Sequence, residues 1–186
     1  MSRGVTVLRF EIALADSDRG VYADLDVRVA RHPSESGAFL VVRMLAYCLE
    51  YAEGIAFSKG GVSSVDEPAI SIVDPTGQRL AWIEVGAPSA ERLHRASKAT
   101  ARVALHSDRR IENLRAALAG ERIHRAEALL VTTYPGELLR ALDDVLDRNN
   151  RWSVTRGDGH LYVTVGGRSY DAALEARPLV EAAPTA

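Results

Sequence analysis

A single cysteine, Cys48, stands in a chain of 186 residues. It rules out an internal disulfide, and its place in the apolar run FLVVRMLAYCLEY reads as a small buried side chain. No apolar stretch approaches the roughly 18 residues that a membrane span requires. The N-terminus MSRGVTVLRFEIALADSD lacks the charged-then-apolar layout of a signal peptide, so a cytoplasmic protein is expected. Aromatics are sparse, with six tyrosines, three phenylalanines and two tryptophans, and they do not alternate with basic residues as a single-strand stacking platform would require. The five histidines, His32, His94, His106, His124 and His160, show no HxxxH spacing, which leaves zinc without ligands. Neither phosphate-binding glycine loop is present, and no G-x-S-x-G presents a nucleophilic serine. The formal net charge of -2 gives no general attraction to nucleic acid or anionic lipid. Any such partner would need a local basic patch.

What is present is an ordinary globular composition, 47% hydrophobic and 26% charged, with enough length for one core. The expectation is a single domain over residues 1–176, with a flexible tail at 177–186. TVLRFEIALADSDRGVYADLDVRVARH alternates polar and apolar residues on either side of DSDRG, which is turn chemistry, and predicts an N-terminal β-hairpin. HPSES then opens a helix, capped by Ser34 or Ser36, that should run 15 to 18 residues to about Glu53. Short strands follow at IAFS, AISIV and AWIEV, the last two joined by a turn at PTGQ. A second helix, SAERLHRASKATAR, has Ser89 as its cap and leads to the strand RVALHS. IENLRAALAG and GELLRALDDVLDRNN read as helices on either side of the strand-like AEALLVTTY, and the last 25 or so residues before the tail read as two or three strands turning at GDG and GG. From Ser34 the order is αβββαβ. An α/β (α+β) fold with a mixed β-sheet flanked by helices follows, in the core order of the PD-(D/E)XK nuclease-like fold, preceded by the hairpin.

Glu84, in the middle of LAWIEVGAP, needs an explanation in that fold, because a buried carboxylate without a partner costs several kcal/mol or becomes neutral. If PTGQ is the turn, antiparallel partners sum to about 152 or 153, and Glu84 faces roughly Pro68. Asp66 and Glu67 then lie at its end of the hairpin, while Asp74 stays at the turn. Asp66 is the carboxylate that could share a divalent cation with Glu84, and hard oxygen ligands suit magnesium or manganese. Such an ion binds a phosphate and acidifies a water, which is phosphodiester hydrolysis. The structural alternative is that Glu84 pairs with an arginine or lysine at the sheet end.

The nuclease motif places a lysine two residues beyond its second carboxylate, where this chain has Gly86. A helix running back at about 1.5 Å per residue against about 3.3 Å for the strand comes level with Glu84 near Arg95 to Lys98. Arg92, Arg95 and Lys98 share a face at i, i+3, i+6, so Lys98 could replace the missing lysine, or all three could form a solvated face.

ARHPSES, VVRMLAY, GIAFSKGG, DEPAISIVD, WIEVGAP and ERLHRASKA, in this order and at these spacings, resemble the YaeQ family of small bacterial proteins. The resemblance runs from the hairpin through at least Leu105 and implies a variant of the PD-(D/E)XK fold. Residue by residue, it implies Glu35, Asp66 and Glu84 as a metal-holding carboxylate set, with Arg43, Lys59 and Arg95 as basic, phosphate-facing positions. Lys98 is not a fixed part of that pattern. Two functions follow as expectations: a metal-dependent nuclease-like enzyme, and a non-catalytic descendant that binds nucleic acid or protein, in a transcription-related setting.

Overall fold

The computed structural model describes residues 6–58 and 67–181. Eleven strands and four α-helices occur among these residues: β1 (Thr6–Asp16), β2 (Val21–Arg31), α1 (Gly37–Leu49), β3 (Ile55–Phe57), β4 (Ile70–Val73), β5 (Arg79–Val85), α2 (Ala90–Ala99), β6 (Arg102–Ser107), α3 (Ile111–Ala117), β7 (Leu130–Thr133), α4 (Gly136–Asp143), β8 (Asn149–Gly157), β9 (His160–Val165), β10 (Arg168–Ala173) and β11 (Glu175–Pro178). Length led to the expectation of one domain over 1–176, and the chain contacts resolve two compact units. One is Met1–Tyr51 with Pro135–Leu174, the other Ala52–Tyr134 with Glu175–Ala186.

The first unit contains a five-stranded sheet in the order β10-β9-β8-β1-β2, parallel only at β1–β8. Alternation in β1 buries Leu8, Phe10, Ile12 and Leu14 on one face, and Phe10 meets Trp152 of β8 edge-to-face at 5.1 Å. Ser36 caps α1, its hydroxyl accepting the Phe39 N–H at 3.1 Å. α1 is 13 residues long and ends at Leu49, short of the expected Glu53. It packs with α4, and the approach requires glycine: a Cβ on Gly37 would fall 1.6 Å from an Asp143 carboxylate oxygen.

α4 also ends early, at Asp143, and Asn149 and Asn150 open β8 instead of closing a helix. The reason is local. The buried Asn150 amide accepts the Asp147 N–H at 2.9 Å and donates to the Asp147 and Arg9 carbonyls, tying the loop to β1. The two turns expected at GDG and GG join β8, β9 and β10 into a meander.

The second unit contains a six-stranded sheet, β11-β7-β6-β5-β4-β3, parallel at β5–β6–β7 and antiparallel elsewhere. One mixed sheet was expected, and the structure has two, because β1 and β2 build a sheet with the late strands rather than with β3–β6. The αβββαβ order is observed along the chain, with α1 in the first unit and β3 to β6 in the second. β4 and β5 pair as Ile70–Ile83, Ser71–Trp82 and Ile72–Ala81, sums of 153, and Asp74 holds the turn by accepting the Thr76 and Gln78 N–H groups, each at 2.9 Å. Trp82, Leu93, Ala96, Val103, Leu105, Leu114, Leu129 and Val131 form the core on the helix side. Residues 177–179, expected in a free tail, are held: Arg177 and Pro178 belong to β11, while Leu179 is buried and donates its N–H to the Leu129 carbonyl. No helix among the described residues is long and apolar enough to cross a membrane.

Candidate functional site

Glu84 is the next-to-last residue of β5, and period two puts Trp82 on the same face, toward α2. Only Gly86–Pro88 separate β5 from Ser89, whose hydroxyl caps α2 by accepting the Arg92 N–H. The first turn of α2 therefore sits beside the strand end. There the Arg92 Nε donates to Glu84 Oε1 at 2.8 Å, and its Nη2 donates to the Glu67 carbonyl at 2.7 Å. The Trp82 indole N–H donates to the same Glu84 oxygen. The Glu84 side chain is 3% exposed and that of Arg92 20%. Burial raises the Glu84 carboxyl above the ordinary carboxylate range, against the opposing pull of the Trp82 hydrogen bond and the Arg92 charge.

The helix thus meets Glu84 one turn earlier than strand and helix rises suggest. Helical side chains lean toward the N-terminus, and a first-turn arginine is long enough to reach the strand end. Arg95 is half-exposed and ion-paired with Glu91 at 3.1 Å, and Lys98 is exposed. Asp66 and Lys59 lie outside the described residues.

Whether these groups suit a divalent cation can be tested on Glu84. Its Oε1 already accepts an indole N–H and a guanidinium N–H, so a cation on that oxygen would lie against the Arg92 charge. Glu67 directs its Oε2 to the Ser58 hydroxyl, which donates at 2.7 Å. No group of three or more histidine, cysteine, aspartate or glutamate residues placed to hold a metal occurs among the described residues. Among the described residues, these donors by themselves do not make up a magnesium or manganese site. Gly86 has φ +88° and donates its N–H to the His106 carbonyl. The position two residues beyond Glu84, where a lysine was expected, is thus a left-handed turn that disfavours any residue with a Cβ.

Glu35 and Arg43 belong to the first unit and form a second buried pair. Glu35 precedes the cap of α1, outside its first turn, and accepts the His32 N–H at 3.1 Å through Oε2. Its Oε1 lies 3.4 Å from Arg43 Nη1, and the Glu35 side chain is fully buried. Burial raises the Glu35 carboxyl, opposed chiefly by the Arg43 charge, and burial lowers the Arg43 guanidinium. Arg43 also donates to the Ala30 carbonyl at 2.8 Å, and only 4% of its side chain is exposed.

Sequence reasoning missed Trp82 as a donor, although the i, i+2 spacing WIE in a strand already puts the two side chains on one face. Cys48 is buried, and its thiol is pushed up to about 12 by burial, as suits an inert core residue.

The family model for YaeQ protein matches residues 1–174. An uncharacterized protein YaeQ of Salmonella typhi is 29% identical over 170 residues, covering 88% of this chain and 91% of its own length. The Escherichia coli K12 protein of that name is 36% identical over 107 residues, 56% of this chain and 58% of the relative. The crystal structure of YaeQ protein from Pseudomonas syringae superposes with a TM-score of 0.82 at 31% identity, covering 97% of this chain and 99% of that one. That from Xanthomonas axonopodis pv. citri gives a TM-score of 0.84 at 28% identity, covering 94% and 98%. With a match that leaves out only the last twelve residues, and two solved structures that share its fold, this chain belongs to the YaeQ family.

Proposed function

We propose that this protein is a non-catalytic relative of the PD-(D/E)XK nucleases that binds the phosphate backbone of nucleic acid. The observation that carries this reading is Glu84: the carboxylate that would hold a catalytic cation is already neutralised by Arg92. The left-handed Gly86 in the lysine position supports it. Arg95, ion-paired with Glu91, and the exposed Lys98 continue the basic series along α2, one turn apart, and would supply the local cationic patch that the net charge requires.

The test is fluorescence anisotropy with labelled single- and double-stranded DNA and RNA across a salt series, on the parent and on Arg95→Ala/Lys98→Ala. Binding that weakens with salt, and a smaller salt slope in the double variant, is the expected result. Equal binding by parent and variant would remove the proposal.

Metal-dependent cleavage is the second reading, and one observation favours it. The guanidinium that holds Glu84 also holds the Glu67 carbonyl, and Glu67 is bonded to Asp66. Cleavage of the same substrates with manganese, lost in Glu84→Gln and in Asp66→Asn, would put this reading first, with Lys98 as the candidate for charge stabilisation. Calorimetric titration of magnesium and manganese into the parent and Glu84→Gln asks the same question without turnover.

A further inference from the structure

β2 is eleven residues long and pairs only with β1 among the described residues, so it forms one edge of the five-stranded sheet. It contains no proline, and its pairing with β1 runs in continuous register from Val21 to Arg31. Such an edge is a ready template for another strand.

The ladder shows which groups face outward. Arg9 donates its N–H to Arg148, and Ser17 donates to Arg156, so the odd residues of β1 point their backbone toward β8 and the even ones toward β2. The even residues pair with odd residues of β2, as Asp16 with Val21 and Ile12 with Leu25. Asp24, Asp26, Arg28 and Ala30 therefore turn their backbone N–H and carbonyl groups away from the sheet. The Arg43 guanidinium on the Ala30 carbonyl fits that assignment.

The side chains of Asp24, Asp26 and Arg28 are exposed, Asp26 being also ion-paired with Arg9 of β1 at 2.7 Å, and their signs select one register. Two copies of β2 can pair antiparallel about a two-fold axis when partner numbers share one sum. A sum of 52 sets Asp24 against Arg28 twice but opposes Asp26 to itself on the axis, 50 opposes Asp24 to Asp26, and 56 opposes Arg28 to itself. A sum of 54 sets Asp26 against Arg28 twice, with Val27 on the axis and Leu25 against Val29 on the other face. Opposite charges directly across a strand pair stabilise it, and like charges destabilise it.

We propose that the β2 edge is a self-association surface, at which two copies of this chain join their sheets into one ten-stranded sheet, centred on Val27 with Asp26 facing Arg28 of the other copy. With the Ala30 carbonyl held by Arg43, the outward groups of Asp24, Asp26, Arg28 and the Ala30 N–H would exchange about six backbone hydrogen bonds. An isologous contact of this kind closes on itself and leaves no second edge at the joint.

Light scattering on the full chain over a concentration series tests the proposal. The expected mass is twice that of one chain, falling to a single chain in Arg28→Asp and returning to the doubled value in Asp26→Arg/Arg28→Asp. A monomeric parent at the highest concentration, or a dimeric Arg28→Asp, would overturn it. Should the swap variant not fold, hydrogen exchange on the parent decides the matter. The Asp24, Asp26 and Arg28 amides should lose protection on dilution, and unchanged protection would rule the joint out.

Discussion

The protein contains two buried carboxylate–arginine pairs, and they are built differently. Glu84 lies on a strand, its accepting oxygen is shared by an indole and a guanidinium, and Arg92 keeps a fifth of its side chain in solvent. Glu35 lies in a loop, 3.4 Å from Arg43, and both members are almost wholly enclosed. Among the described residues, Glu35 Oε1 has no hydrogen-bond partner. The difference separates two roles for one type of charge pair. Glu84–Arg92 is hydrogen-bonded and open to solvent on the Arg92 side, whereas Glu35–Arg43 ties the start of α1 to the end of β2.

The largest expected effect comes from breaking the enclosed pair. Arg43→Ala should cost about 3 to 5 kcal/mol of unfolding free energy in a urea titration, because it leaves a buried carboxylate without its counter-charge. Arg92→Ala should cost less, about 2 to 3 kcal/mol, since Trp82 still serves Glu84 and solvent can enter. Equal costs in the two variants would erase the distinction between the pairs. Gly86→Lys, which puts a lysine two residues beyond Glu84, should destabilise by about 1 to 2 kcal/mol through its left-handed φ and should not create manganese-dependent cleavage.

A pH series sharpens the same contrast. Both carboxyls are raised above their ordinary value of 4.5, so between that value and the raised one the native state holds protons that the unfolded chain has released. Stability from this source is complete below about pH 4.5 and declines as pH rises through the folded value. Glu35→Gln and Glu84→Gln should each flatten that decline in the urea midpoint, and an unchanged profile would contradict the burial assigned here. The smallest effect is expected at Lys98, whose replacement by alanine should leave the unfolding midpoint unchanged and act only on nucleic-acid binding.

Much of the local structure was legible beforehand. DSDRG between two alternating runs marked the β1–β2 hairpin, and PTGQ placed the β4–β5 register, because turn chemistry and period two act over a few residues. Ser89 was a readable cap for the same reason, and for α1 the choice was narrowed to Ser34 or Ser36, of which Ser36 is the cap. Less was legible where distant segments meet. The parallel pairing of β1 with β8, which divides the strands into two sheets, joins residues about 140 positions apart, and no local pattern records it. The run to Asn150 kept a helical appearance until the Asn150 amide found the Asp147 backbone and the Arg9 carbonyl.

The sequence by itself determined that Glu84 is a strand residue near a strand end and that it needs a partner, since these follow from side-chain alternation and residue type. Only the tertiary structure decided that the partner is Arg92, because a charge contact depends on where packing puts the first turn of α2 and on the few ångströms that an arginine can span.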